Sequence, residues 1–265
     1  MQNLKITLVQ PFLFWESAAK NLPAFDKRLS QIKNETDLIV LPEMFNTAFT
    51  PNAEANAETM DGPSMKWLIA KAHEKDCVIC ASILINDKEK LYNRLIWMKP
   101  NGEFETYDKR HLFSASNENL LLTPGEKKLI VELNGWKICP LICYDLRFPV
   151  WSRNTFSEKN KYEYDCLIFV ANWPERRSHS WKSLLVARAI ENQAYVVGVN
   201  RVGKDGKGII HSGDSAVIEP KGKAISDLKP HTEAIETVEL SYANLEDYRK
   251  LFQIGSDWDD FTLLK

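Results

Sequence analysis

The sequence predicts an α/β protein in which two mixed β-sheets pack together and helices cover their outer faces. The first third of the chain alternates strand-like and helix-like periods, which is typical of parallel strands joined by crossover helices. The middle of the chain instead has short turns between neighbouring strand-like runs, which is typical of antiparallel pairs. Because both kinds of pairing are indicated, the pattern disfavours a purely parallel, doubly wound sheet.

The N-terminal part of the chain is predicted to form a strand, a helix and a strand. Leu4–Gln10 is an apolar run of strand length, and Asp37–Leu41 is a second such run that ends at Pro42. Between them, apolar residues recur at the spacing of a helix, at Ala18, Leu22, Phe25, Leu29 and Ile32. A second helix opens at Gly62-Pro63, with apolar positions at Met65, Leu68, Ile69 and Ala72.

The middle of the chain contains the predicted antiparallel strands. After a strand at Val78–Ile85, the runs Tyr92–Met98 and Glu103–Tyr107 flank a turn at residues 100–102, Pro-Asn-Gly. A loop over residues 109–126 follows. Leu129–Leu133 and Trp136–Ile142 are then joined by Asn-Gly, a strong hairpin signal between apolar runs.

The last third of the chain returns to a strand, a helix and a strand, at Asp165–Ala171, Ser178–Gln193 and Tyr195–Asn200. Ser215–Glu219, a turn at residues 220–222 and Ala234–Leu240 suggest another hairpin, and a final helix begins at Tyr242. No linker, repeat or low-complexity segment interrupts the chain. The sequence therefore predicts a single domain over residues 1–265.

Composition limits the classes of partner. The chain has 265 residues, 44% hydrophobic and 26% charged, so a core can form without a metal or disulfide. A formal charge of −2 gives no electrostatic signal for nucleic acid or an acidic membrane surface. No apolar segment approaches the roughly 20 residues of a membrane helix, and five cysteines suit a reducing compartment. We therefore expect a cytoplasmic protein that binds a small molecule.

The stretch around Cys143 is the first candidate for chemistry. An apolar, strand-like run ends at Cys143, after which Asp145 can cap a following helix and Pro149 can occupy its first turn. A nucleophile on a sharp strand-to-helix turn stands clear of its backbone, and nearby N–H groups can bind an oxyanion. A small buried hydrophobic residue is the alternative, since most unpaired cysteines are that.

Glu43, Lys109 and Cys143 each follow an apolar, strand-like run. Neighbouring strands of one sheet would bring such ends to a common rim. There a carboxylate can take the proton of a thiol, and an ammonium can stabilise a tetrahedral oxyanion. Acyl transfer through a thioester is the reaction that this set of groups favours. From spacing alone, solvated residues at strand ends are the favoured interpretation of the carboxylate and the lysine, because such residues are common there.

Three segments of the chain resemble the signatures of the nitrilase (carbon–nitrogen hydrolase) superfamily, and they occur in the expected order. They are Leu41-Pro42-Glu43-Met44-Phe45, Tyr107-Asp108-Lys109-Arg110-His111-Leu112-Phe113 and Ile142-Cys143-Tyr144-Asp145-Leu146-Arg147-Phe148-Pro149. The resemblance also covers Ala171-Asn172-Trp173-Pro174 and Ala187-Arg188-Ala189-Ile190-Glu191-Asn192. It therefore spans nearly the whole chain.

The resemblance implies a four-layer α-β-β-α sandwich that dimerises, and an enzyme without metal or organic cofactor. It implies that Glu43 is the general base, that Lys109 stabilises the oxyanion and that Cys143 is the nucleophile. A second glutamate of the family orients the lysine and the substrate, and Glu118 fits it best. Glu126 is a competitor for that role.

Within the superfamily, the lysine and cysteine segments and the short chain resemble the bacterial omega-amidase branch. Such enzymes hydrolyse the terminal amide of 2-oxoglutaramate or 2-oxosuccinamate to the oxo-diacid and ammonia. The alternatives are a relative acting on an N-carbamoyl amino acid, an aliphatic amide, a deaminated peptide amide or a nitrile, and a scaffold without turnover.

A substrate with a carboxylate at its far end needs a cation or a set of N–H donors opposite Cys143. Arg147, Arg176 and Arg177 are candidates, although for each of them a structural ion pair is the favoured interpretation.

Four further residues are candidates for substrate binding. The N–H of Tyr144 can hold the oxyanion, and the rings of Phe148 and Trp173 can form walls of the pocket or belong to the core. Asn172 can line the pocket or satisfy backbone groups in the loop after its strand.

Overall fold

The computed structural model describes residues 1–33, 35–159 and 161–263. The strands are β1 (Leu4–Gln10), β2 (Leu38–Val40), β3 (Val78–Asp87), β4 (Lys90–Met98), β5 (Phe104–Asp108), β6 (Val131–Leu133), β7 (Trp136–Ile142), β8 (Phe156–Ser157), β9 (Lys161–Tyr162), β10 (Cys166–Ala171), β11 (Tyr195–Asn200), β12 (Val202–Lys204), β13 (Ile210–Ser212), β14 (Ala216–Ile218) and β15 (Ala234–Leu240). The helices are α1 (Ala18–Leu29), α2 (Ala53–Asn56), α3 (Pro63–Lys75), α4 (Glu118–Leu121), α5 (Pro149–Ser152), α6 (Ser178–Asn192) and α7 (Tyr242–Leu251).

Eleven of these strands form two mixed sheets, as the sequence predicts, and β8 with β9 and β12 with β13 form two separate two-stranded sheets. The first is six-stranded, in the order β15-β1-β2-β3-β4-β5, and the second is five-stranded, in the order β14-β11-β10-β7-β6. In the first sheet β1, β2 and β3 are parallel while β15, β4 and β5 pair antiparallel to their neighbours. In the second, β10 is parallel to both β7 and β11, and β6 and β14 are antiparallel edge strands.

Alternation along the strands produces the layers. In β2, Leu38 and Val40 belong to the core that the first sheet shares with the second, whereas Ile39 packs with residues of α1 and α3 on the opposite face. On the far side of the second sheet, α6 buries Trp181 and Leu185 in the same large core. The order helix, sheet, sheet, helix confirms the predicted four-layer α-β-β-α sandwich.

The predicted hairpin in the C-terminal third forms around the turn at residues 220–222, where Ile218 and Ala224 make an antiparallel bridge. Its second arm is the short segment 223–225, and the suggestion that Ala234–Leu240 belongs to it is wrong. β14 joins the second sheet, while β15 crosses to pair with β1 in the first. A local pattern shows that a run can be a strand, but its partner depends on the packing of both sheets.

Four chain segments leave their strands at one rim of the sandwich. Glu43 follows β2, Lys109 follows β5, Cys143 follows β7 and Asn172 follows β10. Ile142 and Val170 are paired at the ends of the parallel strands β7 and β10, which places Cys143 and Asn172 side by side. None of the helices in the described ranges is long and apolar enough to cross a membrane.

Candidate active site

Cys143 lies on a sharp turn at the end of β7. Its φ of 41° falls in the left-handed region that non-glycine residues rarely adopt, and a 3₁₀ turn over Cys143–Arg147 follows directly. Such backbone strain is found preferentially at functional sites. Pro149 is the first residue of α5, as predicted. Asp145 also caps a helix, as predicted, but that helix is the 3₁₀ turn over Cys143–Arg147 and not α5: its carboxylate accepts the backbone N–H of the N-cap residue Ile142 at 3.1 Å.

The structure brings the two predicted glutamates onto the ammonium group of Lys109. The Lys109 Nζ lies 2.8 Å from Glu43 Oε1 and 3.0 Å from each carboxylate oxygen of Glu118. Their side chains are 0 to 3% exposed. Glu118 therefore occupies the position expected of the second glutamate, whereas Glu126, its competitor in the sequence, is an exposed residue.

Neighbouring polar groups fix the orientation of Glu43. One carboxylate oxygen accepts the side-chain amide of Asn93 at 2.8 Å, and the other accepts the backbone N–H of Asn172 at 2.9 Å. The Asn172 side chain also donates to the backbone carbonyl of Glu43. Asn172 thus lines the pocket, as one interpretation of its sequence allowed, and the backbone group that its side chain satisfies lies in the loop after β2 and not in the loop after its own strand.

Sequence reasoning missed Asn93. It is fully buried on β4 and also reaches Glu118 Oε1, at 3.4 Å, so it touches both carboxylates. Its position in the strand carried a signal, because Asn93 shares the face of Leu95 and Trp97, which pack inward between the sheets. A buried amide among apolar neighbours needs polar partners, and here those partners are the carboxylates.

Burial and charge govern proton affinities in this cluster. Burial acts to lower the pKa of Lys109, but the nearby negative charges of Glu118 and Glu43 outweigh it, so the pKa of Lys109 is raised and the ammonium form is held. Burial raises the pKa of the Cys143 thiol well above its usual range, and the negative charge of Glu43 raises it further. Burial also raises the pKa of Glu118, against the lowering effect of Lys109.

These pKa shifts determine where the proton of the Cys143 thiol can go. Loss of the thiol proton to solvent would add a negative charge to a buried site that already holds two carboxylates against one ammonium. Transfer of the proton from Cys143 to Glu43 moves a negative charge between two buried groups and leaves the total unchanged. The arrangement can therefore form a thiolate when a neighbouring carboxylate receives the proton.

A cavity of about 250 Å³ opens onto these groups. Its walls combine aromatic rings, cationic side chains and residues of the loop that joins β12 to β13. Its lining comprises Glu43, Phe49, Pro51, Lys109, Phe113, Ala115, Ser116, Cys143, Tyr144, Arg147, Asn172, Trp173, Pro174, Arg176, Arg177, Asp205, Lys207, Ile209 and His211.

The three candidate arginines all line the cavity, and within the described residues none of them forms an ion pair with a carboxylate. The favoured interpretation of each as part of a structural ion pair is therefore wrong for this part of the chain. The Arg147 guanidinium lies over the Trp173 ring, 4.8 Å from its centroid, and that of Arg177 lies 5.0 Å from the centroid of Phe113. Burial lowers the pKa of Arg177, and the positive charges of Arg176 and Arg147 lower it further.

Of the two predicted wall residues, Trp173 lines the cavity and Phe148 does not. Tyr144, predicted to contribute its backbone N–H, also lines the cavity. The Phe148 ring stacks on His111, with centroids 3.7 Å apart, and meets Tyr144 edge-on. It therefore supports the wall from behind, because the 3₁₀ turn after Cys143 points it away from the cavity.

Sequence reasoning also missed the wall residues that come from loops. Phe49 and Phe113 supply rings, and Asp205, Lys207 and His211 come from the β12–β13 hairpin. Loop residues carry no periodic pattern, so no local signal marks them. His211 is 3% exposed, and burial lowers its pKa to about 4, so its imidazole is neutral near pH 7. In the described part of the chain, no group of three or more His, Cys, Asp and Glu side chains is arranged to hold a metal ion.

Known proteins share this architecture. A family model described as carbon-nitrogen hydrolase matches residues 5–250. The chain is 45% identical over 263 residues to the omega-amidase YafV of Escherichia coli strain K12, covering 99% of this chain and 100% of the relative. It is 28% identical to the 2-oxoglutaramate amidase of Bacillus subtilis strain 168, covering 95% of this chain and 96% of the relative.

A solved structure extends the similarity to three dimensions. A CN-hydrolase superfamily protein from Xanthomonas campestris, described with an arsenic adduct in its active site, superposes with a TM-score of 0.97 at 40% identity. The match covers 99% of this chain and 100% of that one.

Proposed function

The chain belongs to the carbon–nitrogen hydrolase family, as its motifs indicated, and we propose that it is an omega-amidase. It is a hydrolase of carbon–nitrogen bonds other than peptide bonds. The proposed reaction converts 2-oxoglutaramate or 2-oxosuccinamate to the 2-oxo-diacid and ammonia through a thioester on Cys143. The observation that carries the proposal is a cavity lined both by the acyl-transfer cluster and by arginines that pair with no carboxylate among the described residues.

Acylation starts with the proton transfer described above. Glu43 takes the proton of the Cys143 thiol, and the thiolate attacks the amide carbonyl carbon. The tetrahedral oxyanion is stabilised by the Lys109 ammonium and by the backbone N–H of Tyr144. Glu43 returns its proton to the nitrogen, the C–N bond breaks and ammonia leaves, so that a Cys143 thioester remains.

Deacylation repeats the sequence with water. Glu43 takes a proton from water, the hydroxide adds to the thioester carbonyl, and the second oxyanion occupies the same donors. Collapse of the intermediate breaks the C–S bond, and the thiol regains its proton from Glu43. Glu118 and Asn93 keep Lys109 and Glu43 in place throughout, because each contacts a member of the pair directly.

The carboxylate at the far end of the proposed substrate accounts for the arginines in the wall of the cavity. A carboxylate placed between Arg147 and Arg177 gives these guanidinium groups the anionic partner that they lack within the described residues. The rings of Trp173 and Phe113, beneath the two arginines, shield these contacts from water. A cavity of about 250 Å³ suits a five-carbon diacid monoamide better than a peptide.

A substrate panel with a trapping experiment tests the proposal. Ammonia release should be fastest with 2-oxoglutaramate or 2-oxosuccinamate and slower with succinamate, asparagine, a neutral aliphatic amide, an N-carbamoyl amino acid or a nitrile. Intact-protein mass spectrometry after an acid quench should find an acyl group on Cys143, and Cys143→Ala should release no ammonia. Preference for a carbamoyl compound or a nitrile would contradict the substrate, and full activity of Cys143→Ala would contradict the mechanism.

We further propose a cytoplasmic homodimer. All five cysteines are free and buried, which suits a reducing compartment. Val150 in α5 and Ile190 in α6 are 51% and 45% exposed, and burial of such apolar side chains between two copies would favour association. Sedimentation equilibrium of the purified chain should give twice the monomer mass, and a single-chain mass at micromolar concentration would exclude the dimer.

A further inference from the structure

Asp145 is a fully buried carboxylate that the proposed mechanism does not use. It accepts hydrogen bonds from the backbone N–H of Ile142 at 3.1 Å and the hydroxyl of Tyr107 at 2.7 Å on one oxygen. Its other oxygen accepts the backbone N–H of His111 at 3.0 Å and lies 2.8 Å from the His111 Nδ1. Because a carboxylate only accepts, Nδ1 is the nitrogen of His111 that carries a proton.

The donors come from two segments that are far apart in the chain. Tyr107 and His111 lie two residues before and two residues after Lys109, and Ile142 immediately precedes Cys143. Lys109 itself extends from this segment to the two glutamates. One carboxylate therefore ties the backbone around the proposed oxyanion stabiliser to the backbone that presents the proposed nucleophile.

The surroundings of Asp145 make the tie rigid. The Tyr107 hydroxyl also accepts the indole N–H of Trp151 at 3.0 Å and the backbone N–H of Arg110 at 3.2 Å. The His111 ring is fixed by its stack on Phe148. Because these contacts hold the Tyr107 hydroxyl and the His111 ring in place, the Asp145 carboxylate that bonds to both has little freedom to move.

We propose that Asp145 is a positioning residue for the amidase reaction, which holds Lys109 and Cys143 in the register that oxyanion stabilisation requires. The inference rests on the proposed roles of these two residues. Donors must lie about 2.7 to 3.1 Å from the oxyanion, and a misplacement of about 1 Å can cost roughly a hundredfold in rate. Asp145 makes no contact with the cavity, so it acts through the segments that it joins.

Asp145→Asn is the most informative substitution. The side chain keeps its shape, but in the wild-type protein each carboxylate oxygen of Asp145 accepts one backbone N–H, from Ile142 or from His111. The NH₂ group of the asparagine must therefore face one of these two N–H groups. Two facing donors repel in either orientation, so one of the two segments is displaced. We expect kcat to fall at least tenfold while KM changes less than threefold, because the arginines of the cavity are untouched.

Asp165→Asn is the matched control. Asp165 is also a buried carboxylate, bonded to Arg249 at 2.6 Å and to the backbone N–H of Lys137 at 3.0 Å. It precedes β10 at the end opposite Asn172, about 20 Å away by the rise of a strand. We expect this variant to lose stability and to keep its kcat and KM.

Rates are measured on each variant well below its unfolding temperature and are normalised to the fraction of Cys143 that iodoacetamide labels in peptide maps. Tyr107→Phe, which removes one donor and keeps the carboxylate, should lower kcat severalfold with KM unchanged, and it serves if Asp145→Asn does not fold. A normalised kcat within threefold of wild type in Asp145→Asn or, failing that, unchanged kcat in Tyr107→Phe, would overturn the inference. Absence of amidase activity in the wild-type protein would instead overturn the proposed function, so the two failures are distinct.

Discussion

Replacement of Arg177 by glutamine tests how the cavity selects its substrate. The Arg177 guanidinium lines the cavity and lies on the Phe113 ring. In the described part of the chain no carboxylate pairs with it, and the positive charges of Arg176 and Arg147 disfavour its charged form. The guanidinium charge of Arg177 therefore has no stabilising anion among the described residues of the free protein, and we expect that the substrate carboxylate supplies one.

The size of the effect follows from the exposure of this side chain. A hydrogen bond to a charged group contributes about 1.5 to 3 kcal/mol, and Arg177 is half-buried, so the lower end of that range applies. A loss of about 1.5 to 2 kcal/mol corresponds to a 10- to 30-fold rise in KM, since each 1.4 kcal/mol is tenfold. The free energy of unfolding should stay the same or rise slightly, because the substitution removes repulsion between like charges.

The assay compares two substrates and two variants. Arg177→Gln should lose 10- to 30-fold in kcat/KM with 2-oxoglutaramate and less than threefold with a neutral aliphatic amide of similar length. Arg153→Gln is the matched control, because Arg153 is also half-buried over an aromatic ring, that of Trp258 at 4.3 Å, and does not line the cavity. It should leave both kcat/KM values unchanged.

Two outcomes would refute this reasoning about Arg177. An equal loss with both substrates would mean that Arg177 shapes the cavity and does not bind a carboxylate. No loss with either would mean that the carboxylate lies elsewhere in the cavity, with Arg147 as the remaining half-buried arginine of the wall.

Two further predictions concern the buried cluster and the thiols. Glu118→Gln should lower kcat at least a hundredfold, because Lys109 loses the negative charge of the carboxylate that contacts it at 3.0 Å with both oxygens. Glu126→Gln, at an exposed position, should keep wild-type kinetics. The reverse result would assign the role of second glutamate to Glu126. Burial raises the pKa of Cys139 to about 12, above the value of about 8.5 in an unfolded chain. The contribution of this buried thiol to the free energy of unfolding is therefore fully present below about pH 8.5 and is lost as pH rises toward 12. Urea unfolding at pH 8, 9 and 10 should therefore give a falling free energy of unfolding, with a shallower fall in Cys139→Ala, and a flat profile would contradict it.

The strands and the rim of the sandwich were predictable because their signals are local. A period of two or of 3.6 residues is encoded in neighbouring residues, and Leu38, Ile39 and Val40 already indicate a strand buried on both faces. Glu43, Lys109 and Cys143 could be proposed together because each follows such a run and because the flanking motifs resemble those of one family. Their catalytic roles remain a proposal, in which Cys143→Ala tests the nucleophile directly and Glu118→Gln tests Lys109 through the carboxylate that contacts it.

Other features could not be read from the sequence because they depend on contacts between distant segments. The sequence shows Asn93 only as an amide side chain in a β-strand, and the packing of the sandwich places two carboxylates beside it. Phe148 belongs to the cysteine motif, yet the turn after Cys143 directs its ring onto His111 and away from the cavity. The pairing of β15 with β1, 230 residues apart in the register, likewise has no local signal.

The sequence by itself determined the fold class, the family and the residue types available for acyl transfer. Only the tertiary structure decided which of them meet. It placed Glu118 on the Lys109 ammonium and left Glu126 exposed, left the arginines of the cavity without carboxylate partners among the described residues, and gave Asp145 donors from both segments of the site. The physical reason is that propensity and periodicity act within a few residues, whereas distances of about 3 Å between side chains arise from the packing of two sheets and the loops at their rim.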